Sequence, residues 1–167
     1  MGSKDHSFDI VSEISMQEMD NAVTQTMKEI GQRFDFKGSI SSVELNKAEK
    51  TITLKAENDY KLNAVAEMLR MRAVKRGISL KALKFEDMQT GFTGGSVQQV
   101  VKLQSGIPSD KAKEINKAIK ELKLKVQGTT QSEQVRVQAP KIDDLQAAMG
   151  ALKRMDFGLD LQFTNFR

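Results

Sequence analysis

The sequence RFDFKG, at residues 33–38, places two aromatic rings two residues apart among cations. Rings that stack on bases and cations that meet phosphates are the groups by which proteins bind single-stranded nucleic acids. The same alternation is typical of a strand, on which Phe34 and Phe36 would share one face. Because exposed rings without a ligand are a liability, the pattern favours both rings in the core. Arg33 and Lys37 would then remain available to phosphate.

Residues suited to catalysis are scarce. The chain has no cysteine, and its one histidine, His6, falls in an N-terminal tail that we expect to be disordered. The sequence contains no Walker loop, dinucleotide fingerprint or cluster of metal ligands. The glycine-rich segment at residues 91–96 precedes a strand pattern, whereas a phosphate loop requires a helix there. We therefore predict that the protein is not an enzyme and holds no metal or cofactor.

Length and composition indicate a small cytoplasmic protein. A chain of 167 residues can form one ordinary domain or two small ones. The absence of cysteine fits a reducing compartment, and neither a membrane span of about 20 apolar residues nor a signal peptide is found. The net charge of +4 lies in residues 91–167, with 12 Lys or Arg against 8 Asp or Glu, since residues 1–90 have 14 of each. A pI near 9.2 is compatible with nucleic-acid binding but is weak evidence for it.

Two segments of the chain repeat one pattern. TITLKAENDYKLNAVAEMLR at 51–70 and QVRVQAPKIDDLQAAMGALK at 134–153 match at a constant offset of 83 residues. In each, the period-two spacing of a strand is followed by the three-to-four spacing of an amphipathic helix. A further helix precedes each copy at an offset of 92 residues. The sequence therefore indicates an internal duplication, in which the segment RFDFKGSISS is an insertion in the first half.

The elements around the two copies predict an α+β fold of two tandem ferredoxin-like domains. Each half has the order strand-helix-strand-strand-helix-strand, which predicts a four-stranded antiparallel sheet with two helices on one face. Ser15 is predicted to cap the first helix, and Gly77 to end the second. We expect the first domain at 1–90, a linker at 91–95 and the second domain at 96–167. The predicted strands cover residues 8–13, 40–46, 51–57, 82–88, 96–104, 123–130, 134–139 and 159–166.

The helix-free face of the second sheet is the predicted binding surface. Strand alternation places four cations there: Lys102, Lys123, Lys125 and Arg136. They would form a phosphate track, or they would simply keep the sheet soluble and discourage edge pairing. The aromatic signature of RNA-recognition motifs is absent from the two central strands. At the C-terminus, Phe166 and Arg167 have the opposite parity to Phe163, so Phe166 would either stack on a base or cover the contact between the domains.

Several motifs in order make the chain resemble the YajQ family of bacterial cytosolic proteins. The matching segments cover nearly the whole chain from Phe8: FDIVSE at 8–13, MQEMDNAV at 16–23, RFDFKGS at 33–39, KRGI at 75–78, SEQVRV at 132–137, DDLQA at 143–147 and LQFTNFR at 161–167. The resemblance implies two tandem RNP-like domains of ferredoxin type. It also implies a nucleotide- or nucleic-acid-binding role, with tRNA and cyclic di-GMP both associated with members.

We therefore expect a non-catalytic protein that binds a nucleotide or RNA, with tRNA and cyclic di-GMP as possible ligands. The expected contact residues are Arg33, Lys37, Lys102, Lys123, Lys125, Arg136, Phe166 and Arg167. The alternative is an adaptor that captures a protein partner on an open sheet or edge strand. RNA binding would weaken steeply with salt, whereas capture of a protein partner would weaken only modestly. An enzyme that acts on a nucleotide is a third hypothesis.

Overall fold

The computed structural model describes residues 5–167 and has an α+β fold, as predicted. The described elements, in chain order, are β1 His6–Val11, α1 Met16–Gln32, β2 Ser42–Asn46, β3 Thr51–Ala56, α2 Asp59–Lys75, β4 Leu83–Phe85, β5 Val97–Leu103, α3 Ser109–Glu121, β6 Gln127–Gln131, β7 Gln134–Ala139, α4 Ile142–Lys153 and β8 Gln162–Thr164. The strands form two antiparallel sheets of four strands each. None of the described helices is both long and apolar enough to cross a membrane.

The two compact units do not follow the predicted division at residues 91–95. Unit 1 combines the N-terminal segment up to Glu13 with Ser105–Arg167, and unit 2 is Ile14–Gln104. The reason is an exchange of strands: β1 pairs with β7 and β8, whereas β5 pairs with β3 and β4. The segment expected to link the domains therefore lies inside unit 2. His6, expected in a disordered tail, is the first residue of β1 and pairs with Ala139.

Unit 1 is a ferredoxin-like unit. Its first strand, β1, precedes unit 2 in the chain, and its other elements follow unit 2. Its sheet order is β6-β7-β1-β8, and along the chain its elements read strand-helix-strand-strand-helix-strand. The alternation of β1 and β7 directs Phe8, Ile10, Val135 and Val137 into one core, together with residues of α3 and α4. Both helices therefore cover one face of the sheet and leave the other face to polar side chains.

Unit 2 has the same architecture with its elements in a permuted order. Its sheet order is β2-β3-β5-β4, so β5 takes the central position that β1 takes in unit 1. Because β5 comes last, the unit reads helix-strand-strand-helix-strand-strand along the chain. Ile52, Leu54 and Val101 are fully buried with apolar residues of α1 and α2. The repeated segments at 51–70 and 134–153 accordingly form β3-α2 in one unit and β7-α4 in the other.

The predicted ends of two helices are confirmed. The Ser15 hydroxyl accepts a hydrogen bond from the Glu18 amide at 3.2 Å, which satisfies a free donor at the start of α1. At the end of α2, Gly77 adopts φ 78°, a left-handed conformation that costs glycine little. The Ile78 amide then donates to the Ala73 carbonyl at 2.9 Å, as in a Schellman cap.

The chain leaves and re-enters unit 1 at adjacent points. The Gly106 amide donates to the Ser12 carbonyl at 2.5 Å, and the Ile107 amide donates to the Glu133 carbonyl at 2.8 Å. A continuous segment can be inserted into a domain when the two insertion points are close together. Unit 2 is therefore an insertion between Glu13 and Ser105.

The exchange of strands predicts which fragments fold. We expect a fragment of residues 14–104 to unfold cooperatively on heating, because it contains all four strands of its sheet. A fragment of residues 1–90 lacks β5, the central strand, and should show no cooperative transition. Circular dichroism during thermal unfolding measures both. Cooperative unfolding of 1–90 together with a disordered 14–104 would contradict the strand pairing described here.

Candidate nucleic-acid interface

The four cations expected on one sheet face do not share one sheet. Lys102 lies on β5 and so belongs to unit 2. Lys123 and Lys125 belong to unit 1, but neither is in a strand, because α3 continues to Glu121 and β6 begins only at Gln127. Lys123 adopts φ 56°, a left-handed conformation that interrupts the alternation on which the expectation rested. The predicted phosphate track is therefore wrong as a continuous surface.

Arg136 does lie on the helix-free face of unit 1, but it is paired. Its Nε donates to Asp9 Oδ1 at 2.9 Å, and the Asn165 side chain donates to Asp9 Oδ2 at 2.7 Å. The Asp9 side chain is 6% exposed. The hydrogen bond from Arg136 lowers the pKa of Asp9 despite the opposing effect of burial. Much of the Arg136 charge is therefore compensated within the sheet.

Phe166 lies on the opposite side of the sheet from the predicted one. Asp9 is opposite Thr164, yet Ser7 forms both backbone hydrogen bonds with Arg167, so the C-terminal segment contains one extra residue. Asn165 at φ 57° forms this bulge and resets the alternation. Phe166 consequently approaches the helix-facing ring of Phe8, with 6.0 Å between ring centroids, while Arg167 follows the parity of Ser7 on the helix-free side.

Neither sheet presents an aromatic ring on its helix-free face within the part of the chain described. In unit 2 the helix-free positions include Thr53 and Val100, and Lys84 lies directly opposite Lys102. Lys102 also forms an ion pair with Glu86 at 3.4 Å. The absence of the RNA-recognition signature from the sequence thus corresponds to sheet faces without stacking platforms.

A cavity of unit 1 also lacks the groups that a phosphate requires. It has a volume of about 500 Å³ and is built in unit 1 from the end of β1, Ser105, Gly106 and the β6-β7 turn. Its charged lining residues are Glu13 and Glu133, and it has no lysine or arginine. Carboxylates repel phosphate, so this cavity does not fit a nucleotide bound through its phosphates.

The RFDFKG segment forms a turn rather than a strand entry. Phe34–Phe36 is one 3₁₀ turn between α1 and β2. With three residues per turn, side chains two positions apart point in different directions. Phe36 is therefore buried at 3% exposure, whereas Phe34 is 89% exposed. The expectation that both rings share one face is wrong. We call residues 33–39 the aromatic turn.

Cations hold the buried ring and the backbone of the aromatic turn in place. The Arg33 guanidinium lies 5.3 Å from the centroid of the Phe36 ring. Lys61, which is in α2, places its Nζ 4.6 Å from the same centroid. Lys61 also donates a hydrogen bond to the Asp35 carbonyl. Arg33 donates to both carboxylate oxygens of Asp35, at 3.0 and 2.8 Å, and pairs with Glu29 at 3.5 Å. The contact with Arg33 lowers the pKa of Asp35.

The far end of the aromatic turn is fixed by Ser39. Its hydroxyl lies 2.7 Å from Glu57 and accepts a hydrogen bond from the Ser41 amide at 3.0 Å. The hydrogen bond with Ser39 lowers the pKa of Glu57. The exposed ring of Phe34 is thus carried on a backbone that is anchored on both sides.

Tyr60 and Lys61, in the first turn of α2, were not expected as site residues. Tyr60 is 78% exposed, and the Lys61 side chain donates a hydrogen bond to the aromatic turn. The sequence offers one signal for Tyr60: it falls outside the apolar spacing of Leu62, Val65 and Leu69. Lys37 is exposed and forms no ion pair with any residue in 5–167. Arg33, by contrast, forms ion pairs with Glu29 and Asp35 and stabilises the aromatic turn.

The fold and this surface define a class: an α+β protein of two ferredoxin-like units, one inserted in the other, with an anchored and exposed aromatic turn. The chain belongs to the YajQ-like family, since the family model described as "Nucleotide-binding protein YajQ-like" matches residues 6–167.

Similar proteins cover the whole length of the chain. A protein of Geotalea daltonii is 52% identical over 162 residues, which cover 96% of this chain and 98% of that one. A protein of Carboxydothermus hydrogenoformans is 49% identical over 165 residues, 99% of each chain. A protein of Geotalea uraniireducens is 50% identical over 161 residues, 96% of this chain and 98% of that one. All three carry the name "Nucleotide-binding protein".

The pairing of Asp9 with Arg136 predicts a pH-dependent contribution to stability. We expect Asp9→Asn to lower the free energy of unfolding at pH 7 by about 1.5–3 kcal/mol, the range for hydrogen bonds to charged groups. The folded-state pKa of Asp9 is lowered, so this contribution is complete above the unfolded pKa of about 3.9. It should diminish as the pH falls through the folded pKa.

Urea unfolding of both proteins at pH 7 and at pH 3 measures the effect. The matched control is Asp87→Asn, an exposed carboxylate without an ion pair to the described residues, which should change little at either pH. A difference between native protein and Asp9→Asn that stays constant down to pH 3, or is absent at pH 7, would contradict the interpretation.

Proposed function

We propose that this protein binds a nucleotide or single-stranded RNA without catalysing a reaction, and that a base of the ligand stacks on Phe34. The observation that carries the proposal is the 89% exposure of that ring on an anchored turn. The names of the similar proteins support nucleotide binding as the general role. A cytoplasmic location remains a prediction from the sequence.

Burial explains why an exposed Phe34 calls for a ligand. A phenylalanine in the core contributes about 1.5–3 kcal/mol through burial, and Phe36 supplies that contribution to the turn. Phe34 contributes no such burial and leaves an apolar surface in water. Stacking of a base on an exposed ring is worth about 1–3 kcal/mol, and it tolerates every base because each has a π-face. The role that best accounts for the ring is that of a stacking platform.

The charges around the aromatic turn support contact with a base more than a long phosphate track. Lys37 is exposed without an ion pair in the described structure and is suited to one phosphate. Asp35, which follows Phe34 in the turn, would repel further phosphates, while carboxylates accept hydrogen bonds from base amino groups. Unit 2 as a whole has 14 Lys or Arg against 11 Asp or Glu, a modest net charge of +3.

The ligand remains one of the predicted group: tRNA, another RNA or cyclic di-GMP. The aromatic turn supports all three, because each contains a base that is able to stack on an exposed ring. Of the predicted contact residues, Lys37 is the cation best placed beside Phe34. The helix-free sheet faces, with Lys84 and Lys102 in unit 2 and Arg136 and Arg167 in unit 1, are secondary candidates for phosphate contacts.

The proposal predicts that the ring of Phe34, and not merely its apolar surface, determines affinity. We expect Phe34→Leu to weaken binding by about tenfold or more, since a stacked base contributes about 1–3 kcal/mol. Phe34→Tyr keeps the ring and should bind like the native protein. Fluorescence anisotropy with labelled tRNA, a labelled unstructured RNA and labelled cyclic di-GMP at low and high salt measures the effect.

Two further variants locate the site. Lys37→Gln should weaken RNA binding uniformly and reduce the slope of log affinity against log salt by about one. Lys84→Gln combined with Lys102→Gln tests the sheet face of unit 2 and should have the smaller effect. If Phe34→Leu binds every probe as tightly as the native protein, the aromatic turn is not the site. If no probe binds at micromolar protein, the proposed function itself is wrong.

A further inference from the structure

Strand β6, residues Gln127–Gln131, is an edge strand of unit 1 with the sequence QGTTQ and no charged residue. Proteins usually protect sheet edges with charges, prolines, short strands or covering elements. The other described edges have such protection. Strands β4 and β8 contain three residues each, and β2 contains Glu44. In β2, moreover, the Val43 amide is occupied by Met27 Sδ at 3.1 Å.

The backbone of β6 offers hydrogen-bonding groups to a further strand. Gln131 and Gln134 flank the two-residue turn to β7 and form a hydrogen-bonded pair. Because hydrogen-bonded and non-hydrogen-bonded pairs alternate along an antiparallel ladder, the other hydrogen-bonded pairs are Thr129 with Arg136 and Gln127 with Gln138. The N–H and C=O groups of Gly128 and Thr130 therefore point away from β7. Within residues 5–167 they form no backbone hydrogen bond outside this strand pair.

The position of β6 is fixed, so this edge is a preformed one. A Cβ atom on Gly128 would lie 2.3 Å from Asn116 Oδ1 and 2.8 Å from Ile119 Cδ1, so the strand packs closely under α3. The Asn116 side chain also donates to the Thr130 hydroxyl at 2.9 Å. The packing favours glycine at 128, but it does not explain why the exposed positions 127, 129 and 130 carry no charge.

We propose that the β6 edge pairs with the β6 edge of a second copy of this chain, antiparallel about a two-fold axis at Thr129. In that register Gly128 of each copy is opposite Thr130 of the other, and these are the residues whose backbone groups are free. Thr129 is then opposite itself, and Gln127 is opposite Gln131. Threonine pairs and uncharged amide pairs are favourable across strands, whereas a charged residue at 129 would repel its own copy.

The palindromic order of side chains on the helix-free face favours a second copy over an unrelated partner. Gln127, Thr129 and Gln131 read the same in both directions, which is what a two-fold interface requires. The pairing joins two four-stranded sheets into one sheet of eight strands. Because it rests on a single edge strand, the contact is small and the dimer should dissociate in the micromolar range. This inference does not depend on the aromatic turn or on a ligand.

A single cysteine tests the axis, since the native chain has none. Two copies of Thr129→Cys would face each other at a non-hydrogen-bonded position, where the Cα atoms lie about 4.5 Å apart, within disulfide reach. With oxidised glutathione as oxidant, we expect a disulfide-linked dimer on non-reducing gels. Thr164→Cys, also an exposed edge-strand threonine of unit 1, is the matched control and should form far less of it.

Sedimentation equilibrium of the full chain gives the second measurement. The native protein should show a concentration-dependent dimer, and Thr129→Glu should raise its dissociation constant by about tenfold or more, because like charges would be opposite each other. Thr164→Glu should leave it unchanged. Three results would each overturn the proposal: a native protein that is monomeric throughout, a dimer insensitive to Thr129→Glu, or equal cross-linking of the two cysteine variants. If the protein is monomeric, the β6 edge would instead be available to pair with an extended segment of another protein.

Discussion

The pairing of β1 between β7 and β8 is the constraint on which the rest of unit 1 depends. It places Phe8 and Ile10, both fully buried, at the centre of the core. It also brings Asp9 to Arg136, 127 residues away along the chain. Such a pairing closes a very long loop. Long-range strand pairing is slow because the chain loses the entropy of loop closure before the new contacts stabilise the sheet. During synthesis β1 must therefore wait until β7 and β8 exist, while unit 2 can fold as a continuous segment.

The same constraint explains the order of elements in unit 2. With β1 used elsewhere, the centre of the second sheet lacks a strand, and β5 supplies it from the segment just before Ser105. The two sheets then have equivalent orders although only one of them reads as a ferredoxin-like pattern along the chain. Circular permutation of a compact fold is tolerated because chain ends lie at the surface and close together. Here the hydrogen bond between Gly106 and Ser12 keeps the insertion points together.

Local patterns predicted most of the elements, because they depend on spacing within a few residues. The cap at Ser15, the end of α2 at Gly77 and the repeated strand and helix at 51–70 and 134–153 were all available in this way. The choice of partner strands was not, because β1 and β5 are both amphipathic strands that suit the centre of either sheet. Strand alternation also failed wherever a residue adopts a left-handed conformation, as Lys123 and Asn165 do. Neither residue is glycine, the residue type that most clearly indicates such a conformation.

Two of the arginines expected to contact phosphate are compensated locally, and this limits what the basic pI can mean. Arg33 is engaged with Asp35 and Glu29, and Arg136 with Asp9. An arginine held by a carboxylate offers phosphate little attraction, because a competing anion must displace a partner of the same sign. The value of these pairs lies in positioning, since the pair of Arg33 and Asp35 holds the turn that carries Phe34. A ligand selected by such a surface would be recognised mainly by a stacked ring, with phosphates in a supporting role.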